Sequence, residues 1–166
     1  AGLGRVHPAN FNAPGQIVIS GDSAAVARAG ELALEAGAKR VVLLNVSGAW
    51  HSELMAPAQA AFAPYIERAP FALPRFPVIS NVDAQPYRDV ATIKANLVRS
   101  VTDEVRWHAT AERLLEEELE LVVEFGGSAV LTPLFKRIAH APPALHVGDE
   151  SGVERLRERL LGAAAR

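Results

Sequence analysis

Gln16-Ile17-Val18-Ile19-Ser20-Gly21-Asp22-Ser23, followed after one helical stretch by Arg40-Val41-Val42-Leu43-Leu44-Asn45-Val46, is the part of the chain that decides its class. Each run is short, apolar and β-branched, as a buried strand requires. Between them Val26, Ala29, Ala33 and Leu34 recur near helical spacing, with Arg28, Glu31 and Glu35 on the other face. Gly21-Asp22-Ser23 supplies an N-cap and Gly37 a C-terminal stop. The pattern predicts a β-α-β unit: two parallel strands joined by a right-handed crossover helix.

Before this unit, Asn12-Ala13-Pro14-Gly15 signals a turn. Beyond it, Ser52 is placed to cap a helix reaching about Arg68, tolerant of Pro57 in its first turn but kinked or broken at Pro64. Phe76 to Asn81 reads as a short strand, Val90 to Ser100 and Arg106 to Glu118 as helices. Leu119 to Phe125 reads as a strand, Ser128 to His140 as a helix, Leu145-His146-Val147 as a strand, and Glu150 to Ala165 as a charged amphipathic helix. Strands and helices alternate, so the fold class is α/β. Glu116-Glu117-Glu118 reads as a solvated helix end.

The chain has 166 residues, 49% hydrophobic and 22% charged, with a formal net charge of −2. That is one ordinary domain or two small lobes. No basic stripe points to nucleic acid. The absence of cysteine excludes disulfides, thiolate nucleophiles and cysteine zinc sites, and fits a cytoplasmic protein. No apolar run approaches the roughly 18–20 residues that span a bilayer, and no signal peptide is visible. The start at Ala1, on Ala-Gly-Leu-Gly, reads as a cut or processed end, or as a segment that has lost its initiator Met.

His51 stands between the second apolar run and the following helix, with Gly48 and Ala49 beside it to let the backbone turn. A histidine so placed can hold one ring nitrogen on a carbonyl and offer the other as a general base; it can also be an ordinary loop histidine. Ser128, in Gly126-Gly127-Ser128-Ala129-Val130, imitates a nucleophile elbow but has Val130 where that motif closes with glycine; a helix N-cap is the competing reading. Asn10, Asn12 and Gln16 surround the Pro-Gly turn, either as Asx-turn formers or as binders of an amide-rich ligand such as pantetheine. Lys39-Arg40 can meet a phosphate or simply be solvated. His7, His108, His140 and His146 lack metal-ligand spacing, so no metal and no permanent cofactor are expected.

The runs Asn10-Phe11-Asn12-Ala13-Pro14-Gly15-Gln16 through Gly21, Gly37-Ala38-Lys39-Arg40, and Leu43 through Met55 with Gly48-Ala49-Trp50-His51-Ser52 resemble those of malonyl-CoA:acyl carrier protein transacylases. Pro77 to Ala84, Val105-Arg106-Trp107, Val130-Leu131-Thr132 and Lys136-Arg137-Ile138 match in order and spacing. The resemblance covers nearly the whole chain but only the C-terminal portion of the family's length. It implies most of a ferredoxin-like small subdomain in residues 1–50 and the C-terminal part of an α/β-hydrolase-like acyltransferase core in residues 51–166. It implies malonyl transfer from malonyl-CoA to the phosphopantetheine thiol of acyl carrier protein, through a malonyl-serine. His51 would be the base, oriented by a backbone carbonyl at the position of Ser100. Asn10, Asn12, Gln16 and Arg40 would line the coenzyme or carrier path, and Gly48 and Trp50 the malonyl pocket. The family's Gly-Pro-Gly loop is replaced by Gly126-Gly127-Ser128.

The serine elbow, the arginine for the malonyl carboxylate and the first oxyanion donors belong to an N-terminal half that these residues do not include, so this chain alone is expected to be inactive. A non-catalytic carrier-protein or coenzyme-A binding module is the alternative, and a hydrolase built on Ser128 and His51 a third. An incomplete core is expected to expose an apolar interface, with poor solubility or tight association as the consequence.

Overall fold

The computed structural model describes residues 4–138 and 140–164, the side chains of 163–164 excepted. The chain divides into two compact units. One holds the residues up to Asn12 with Gln16–Thr110; the other holds Ala13–Gly15 and the residues from Ala111 on. Residues 50 and 51 both lie inside the first unit.

β1 (Val6–Ala13), in the first unit up to Asn12, and β2 (Gln16–Gly21) form a two-stranded sheet. Only Pro14-Gly15 separates them, so they run antiparallel. Proline's fixed φ followed by Gly15 at φ 70° suits a type II turn, in which the second central residue needs positive φ. Helix α1 (Ser23–Glu35) follows, and buries Ala25 and Gly30. Its N-cap position is Asp22, whose carboxylate does not cap the helix but accepts from the Arg5 N–H at 2.7 Å.

The expected second strand, Arg40 to Val46, is not formed. These residues are exposed, Leu43 at 87%. A Cβ on Gly30 would come within 3.1 Å of Val41, so the glycine lets this segment cross α1 closely. Its composition suits a strand, but a strand exists only through a ladder, and no described strand pairs with it. The β-α-β unit is therefore replaced by a hairpin, a helix and an unpaired apolar ribbon.

After a single 3₁₀ turn, Glu53–Met55, helix α2 spans Ala56–Arg68. Pro57 lies in its first turn as expected, but the helix runs through Pro64 without a break. Pro64 and Ala60 are both exposed, so the carbonyl that proline leaves unbonded faces water. Phe76 to Asn81 is not a strand. Ile79 makes one isolated antiparallel bridge to Pro86, within a tight loop closed by Ser80 N–H to Gln85 carbonyl (2.9 Å) and Tyr87 N–H to Val78 carbonyl (3.0 Å). Helix α3 (Val90–Arg99) is capped by Asp89, whose carboxylate accepts from the Thr92 N–H at 2.7 Å. Ala9, Ile66, Val82, Ala84 and Ile93 form the apolar core of this unit, with Ser52, Ser80 and Asn96 buried among them. The Asn96 amide donates to the Ser80 hydroxyl (3.0 Å) and the Asp83 carboxylate (2.9 Å). Burial works against the Asp83 charge, but bonds from Asn96, the Gln85 backbone and Ser80 outweigh it and hold Asp83 below the usual carboxylate range.

Helix α4 (Trp107–Leu115) ends before the three glutamates, all of which are exposed. In the second unit, β3 (Val122–Phe125) and β4 (Ala144–Val147) pair in parallel, Val122 against Ala144 and Phe125 against Val147. The short α5 (Leu131–Phe135) lies between them in sequence and α6 (Glu150–Ala164) closes the described chain; Ala165, the expected end of that last helix, lies outside the described residues. Ala111, Phe135, Ile138 and Val147 are buried here. No helix among the described residues is long and apolar enough to cross a membrane.

Candidate functional site

His51 sits on a tight turn with a φ of 59°, a left-handed conformation that costs a non-glycine residue of order 1 kcal/mol and needs support from its surroundings. That support is visible. The buried Ser52 hydroxyl donates to the Ala49 carbonyl at 2.7 Å, and the Met55 N–H bonds the Ser52 carbonyl at 3.0 Å. On the other side Glu53 binds Arg5 of the N-terminal segment (3.3 Å) and lies 3.5 Å from His7 of β1. The turn is thereby fixed to the start of α2 and to β1.

Nδ1 of His51 lies 3.1 Å from the backbone carbonyl of Asp103. A carbonyl oxygen only accepts, so this bond forms only with the proton on Nδ1. In the neutral ring with that tautomer, Nε2 carries the lone pair that a general base uses. The expected orienting carbonyl was that of Ser100; the structure puts Asp103 there instead. Ser100 is the C-cap of α3, its N–H bonding the Asn96 carbonyl at 2.8 Å and its hydroxyl the Leu97 carbonyl at 2.7 Å. The chain makes a further turn after α3 before it reaches the histidine. A backbone carbonyl carries no side-chain signature, so nothing in the sequence distinguishes Asp103 from its neighbours for this role.

The same segment meets β1. Asn10 bridges Val105 in parallel, the Phe11 N–H bonding the Val105 carbonyl (2.9 Å) and the Val105 N–H the Ala9 carbonyl (2.8 Å). Asn10 and His51 thus adjoin one stretch of backbone two residues apart. Asn12 shares a face of β1 with Asn10, by strand alternation. Gln16 opens β2, beyond the Pro14-Gly15 turn. All three amides are half-buried. Gly48 faces the Trp50 indole: a Cβ there would meet the ring at 3.5 Å, and Trp50 itself is 48% exposed. Arg40 and Lys39 are exposed at the start of the ribbon.

Ser128 does not start the helix expected at that position. Helix α5 begins at Leu131, and the exposed Ser128 makes no side-chain hydrogen bond among the described residues. The cap comes from β3: the Glu124 carboxylate accepts from the N–H groups of Val130 (2.8 Å), Leu131 (2.7 Å) and Thr132 (2.7 Å). Partial burial pushes its pKa up, but these three amides outweigh that and hold it down to about 2. This clasp over residues 126–129 escaped sequence reading; its only trace is an acidic residue on an otherwise apolar strand. Among the described residues no group of three or more His, Asp or Glu is placed to hold a metal ion.

No protein-family model matches the chain. Curated relatives do, among them malonyl CoA-acyl carrier protein transacylases. That of Salmonella typhimurium is 42% identical over 133 residues, 80% of this chain and 43% of its own length. That of Haemophilus influenzae is 38% identical over 156 residues, 94% of this chain and 50% of its own. Among solved structures, the chain is similar to FabD from Acinetobacter baumannii, with a TM-score of 0.92 at 35% identity, covering 96% of this chain and 51% of that one. It is also similar to a malonyl-transacylase solved in complex with a type II PKS acyl-carrier protein, with a TM-score of 0.90 at 40% identity, covering 94% and 50%. The resemblance read from the residues is borne out, and the chain spans about half the length of the relatives it matches.

Proposed function

We propose that this chain, as the C-terminal portion of a malonyl-CoA:acyl carrier protein transacylase, supplies the general base of a two-step malonyl transfer. The observation that carries this reading is the His51–Asp103 carbonyl bond, which fixes the proton on Nδ1 and leaves Nε2 to work.

In the first step Nε2 takes the proton of a serine hydroxyl as its oxygen attacks the thioester carbonyl of malonyl-CoA. The tetrahedral intermediate collapses, the C–S bond breaks, and the imidazolium returns its proton to the leaving coenzyme A sulfur. In the second step the phosphopantetheine thiol of acyl carrier protein gives its proton to Nε2 and attacks the malonyl-serine. The serine oxygen leaves with that proton. His51 begins and ends each half-reaction neutral, and no permanent cofactor takes part.

The serine is proposed to lie outside these 166 residues, where none stands in a complete G-x-S-x-G. Residues 1–50 are read as most of a ferredoxin-like subdomain, and 51–166 as part of an α/β-hydrolase-like core. Asn10, Asn12, Gln16 and Arg40 are proposed to meet the pantetheine and phosphate groups, with Asn10 best supported because it adjoins the Asp103–Val105 segment. Trp50 over Gly48 is proposed to wall the malonyl pocket and crowd a branched α-carbon. The test is a transacylase assay on the purified segment: no turnover alone, and malonyl transfer once a half bearing the serine elbow is added. Turnover by the segment alone would refute this division of labour.

A further inference from the structure

We propose that Gln59 is a positioning residue for His51, acting through the turn that carries the Asp103 carbonyl. The inference rests on the reading of His51 as a base, but its geometry stands apart from that reading.

Gln59 lies on α2, eight residues after His51. Met55, Ala63 and Ile66 occupy the same helical stripe and are half-buried or buried, as Gln59 is. A glutamine in such a stripe must spend its amide on partners. Its Nε2 donates twice: to the Val98 carbonyl at 3.1 Å and to the Thr102 hydroxyl at 2.7 Å. Val98 is in the last turn of α3, and Thr102 lies just past its end. The Thr102 hydroxyl has a single proton to give, with the Asp103 carboxylate (3.1 Å) and the Arg99 carbonyl (3.3 Å) in reach. Arg99 grips the same carboxylate at 2.8 Å, and the Asp103 N–H bonds the Arg99 carbonyl at 2.8 Å.

The result is a closed loop of contacts. His51 leads into α2; α2 presents Gln59; Gln59 holds the turn after α3; and that turn returns the Asp103 carbonyl to His51 Nδ1. The histidine and the group that fixes its tautomer are thus referenced to one helix. Carbonyl direction matters because the donor must lie near its lone pairs. A turn free to rotate loses the bond, and with it the preference for the proton on Nδ1.

The test is long-range ¹⁵N NMR of the imidazole rings in the full 166-residue chain, which reports the tautomer of each histidine without any transfer activity. Wild type is expected to show His51 with a pyrrole-like Nδ1 and a pyridine-like Nε2. Gln59→Met keeps the bulk but cannot donate, and Thr102→Val removes the relay hydroxyl. Both are expected to shift His51 toward the mixed tautomers of a free imidazole, while His108 and His146 stay unchanged. Thr102→Ser restores the hydroxyl and is expected to restore the wild-type signature. A wild-type His51 spectrum in Gln59→Met overturns the proposal. Should that variant fail to fold, Thr102→Val against Thr102→Ser decides it by the same criterion. Shifted tautomers in the variants, together with a wild-type chain that transfers no malonyl even when a half bearing the serine elbow is added, would sink the functional reading and leave the positioning role intact.

Discussion

The ring of His51 rests on the backbone carbonyl of Asp103, 3.1 Å from Nδ1, on a turn that is itself strained at φ 59°. The strain and the bond belong together. Removing what holds the turn should cost more at the histidine than elsewhere.

Ser52 is the first such support. It is 1% exposed, and its hydroxyl closes the turn onto the Ala49 carbonyl. Ser52→Ala leaves that carbonyl unpaired, and the expected loss is about 1–2 kcal/mol. Urea unfolding should show a lower midpoint with an unchanged slope. No midpoint shift would mean that the turn is held without it.

Glu124 gives a pH signature. Its folded pKa, about 2, lies below the roughly 4.3 of an unfolded glutamate, so the folded state binds its proton more weakly. Its stabilising effect is complete above the unfolded value and is lost as pH falls through the folded one. Glu124→Gln should destabilise by about 1–2 kcal/mol at pH 7, the scale of a lost helix cap. The gap between wild type and variant should narrow as pH drops from about 5 toward 2. A gap independent of pH would contradict the clasp.

The ribbon Val41-Val42-Leu43-Leu44 exposes contiguous apolar side chains. A hydrophobic dye should bind the isolated segment, and Leu43→Lys should weaken both that binding and self-association. Equal dye binding in the variant would place the apolar surface elsewhere.

Trp50 is expected to set acyl choice. Trp50→Ser opens space beside Gly48 and should narrow the preference for malonyl over a branched acyl group by about tenfold in kcat/KM, in the complete enzyme. An unchanged ratio would remove Trp50 from the pocket wall.

Much of the fold was legible because its signals are local. Helix α3 has Asp89 as its cap and a clear stripe, Pro14-Gly15 marks its turn, and β4 and α6 read directly from composition and periodicity. What failed depends on neighbours. Val41–Val46 has strand composition but no ladder, so the expected β-α-β unit became a hairpin and a ribbon. Pro64 was tolerated because the carbonyl it frees is solvated. Ser128 lost its role as a cap to Glu124, which acts across the loop. Among the candidate residues, His51 and Asn10 could be singled out from residue type and order, and Gly48 and Trp50 through the family resemblance. Asp103 could not, since its contribution is backbone, and Gln59 was hidden in a helical stripe whose period says only that it faces inward.

The central claim is that His51 is the base for a serine supplied from outside this segment. The most direct measurement is malonyl transfer from malonyl-CoA to acyl carrier protein by the complete transacylase carrying His51→Ala, with intact-mass detection of malonyl-serine. The account predicts a fall in kcat of about 10²–10⁴, the usual range for a lost general base, with little malonyl-serine formed. Near-wild-type turnover, or rapid full formation of malonyl-serine in His51→Ala, would contradict it.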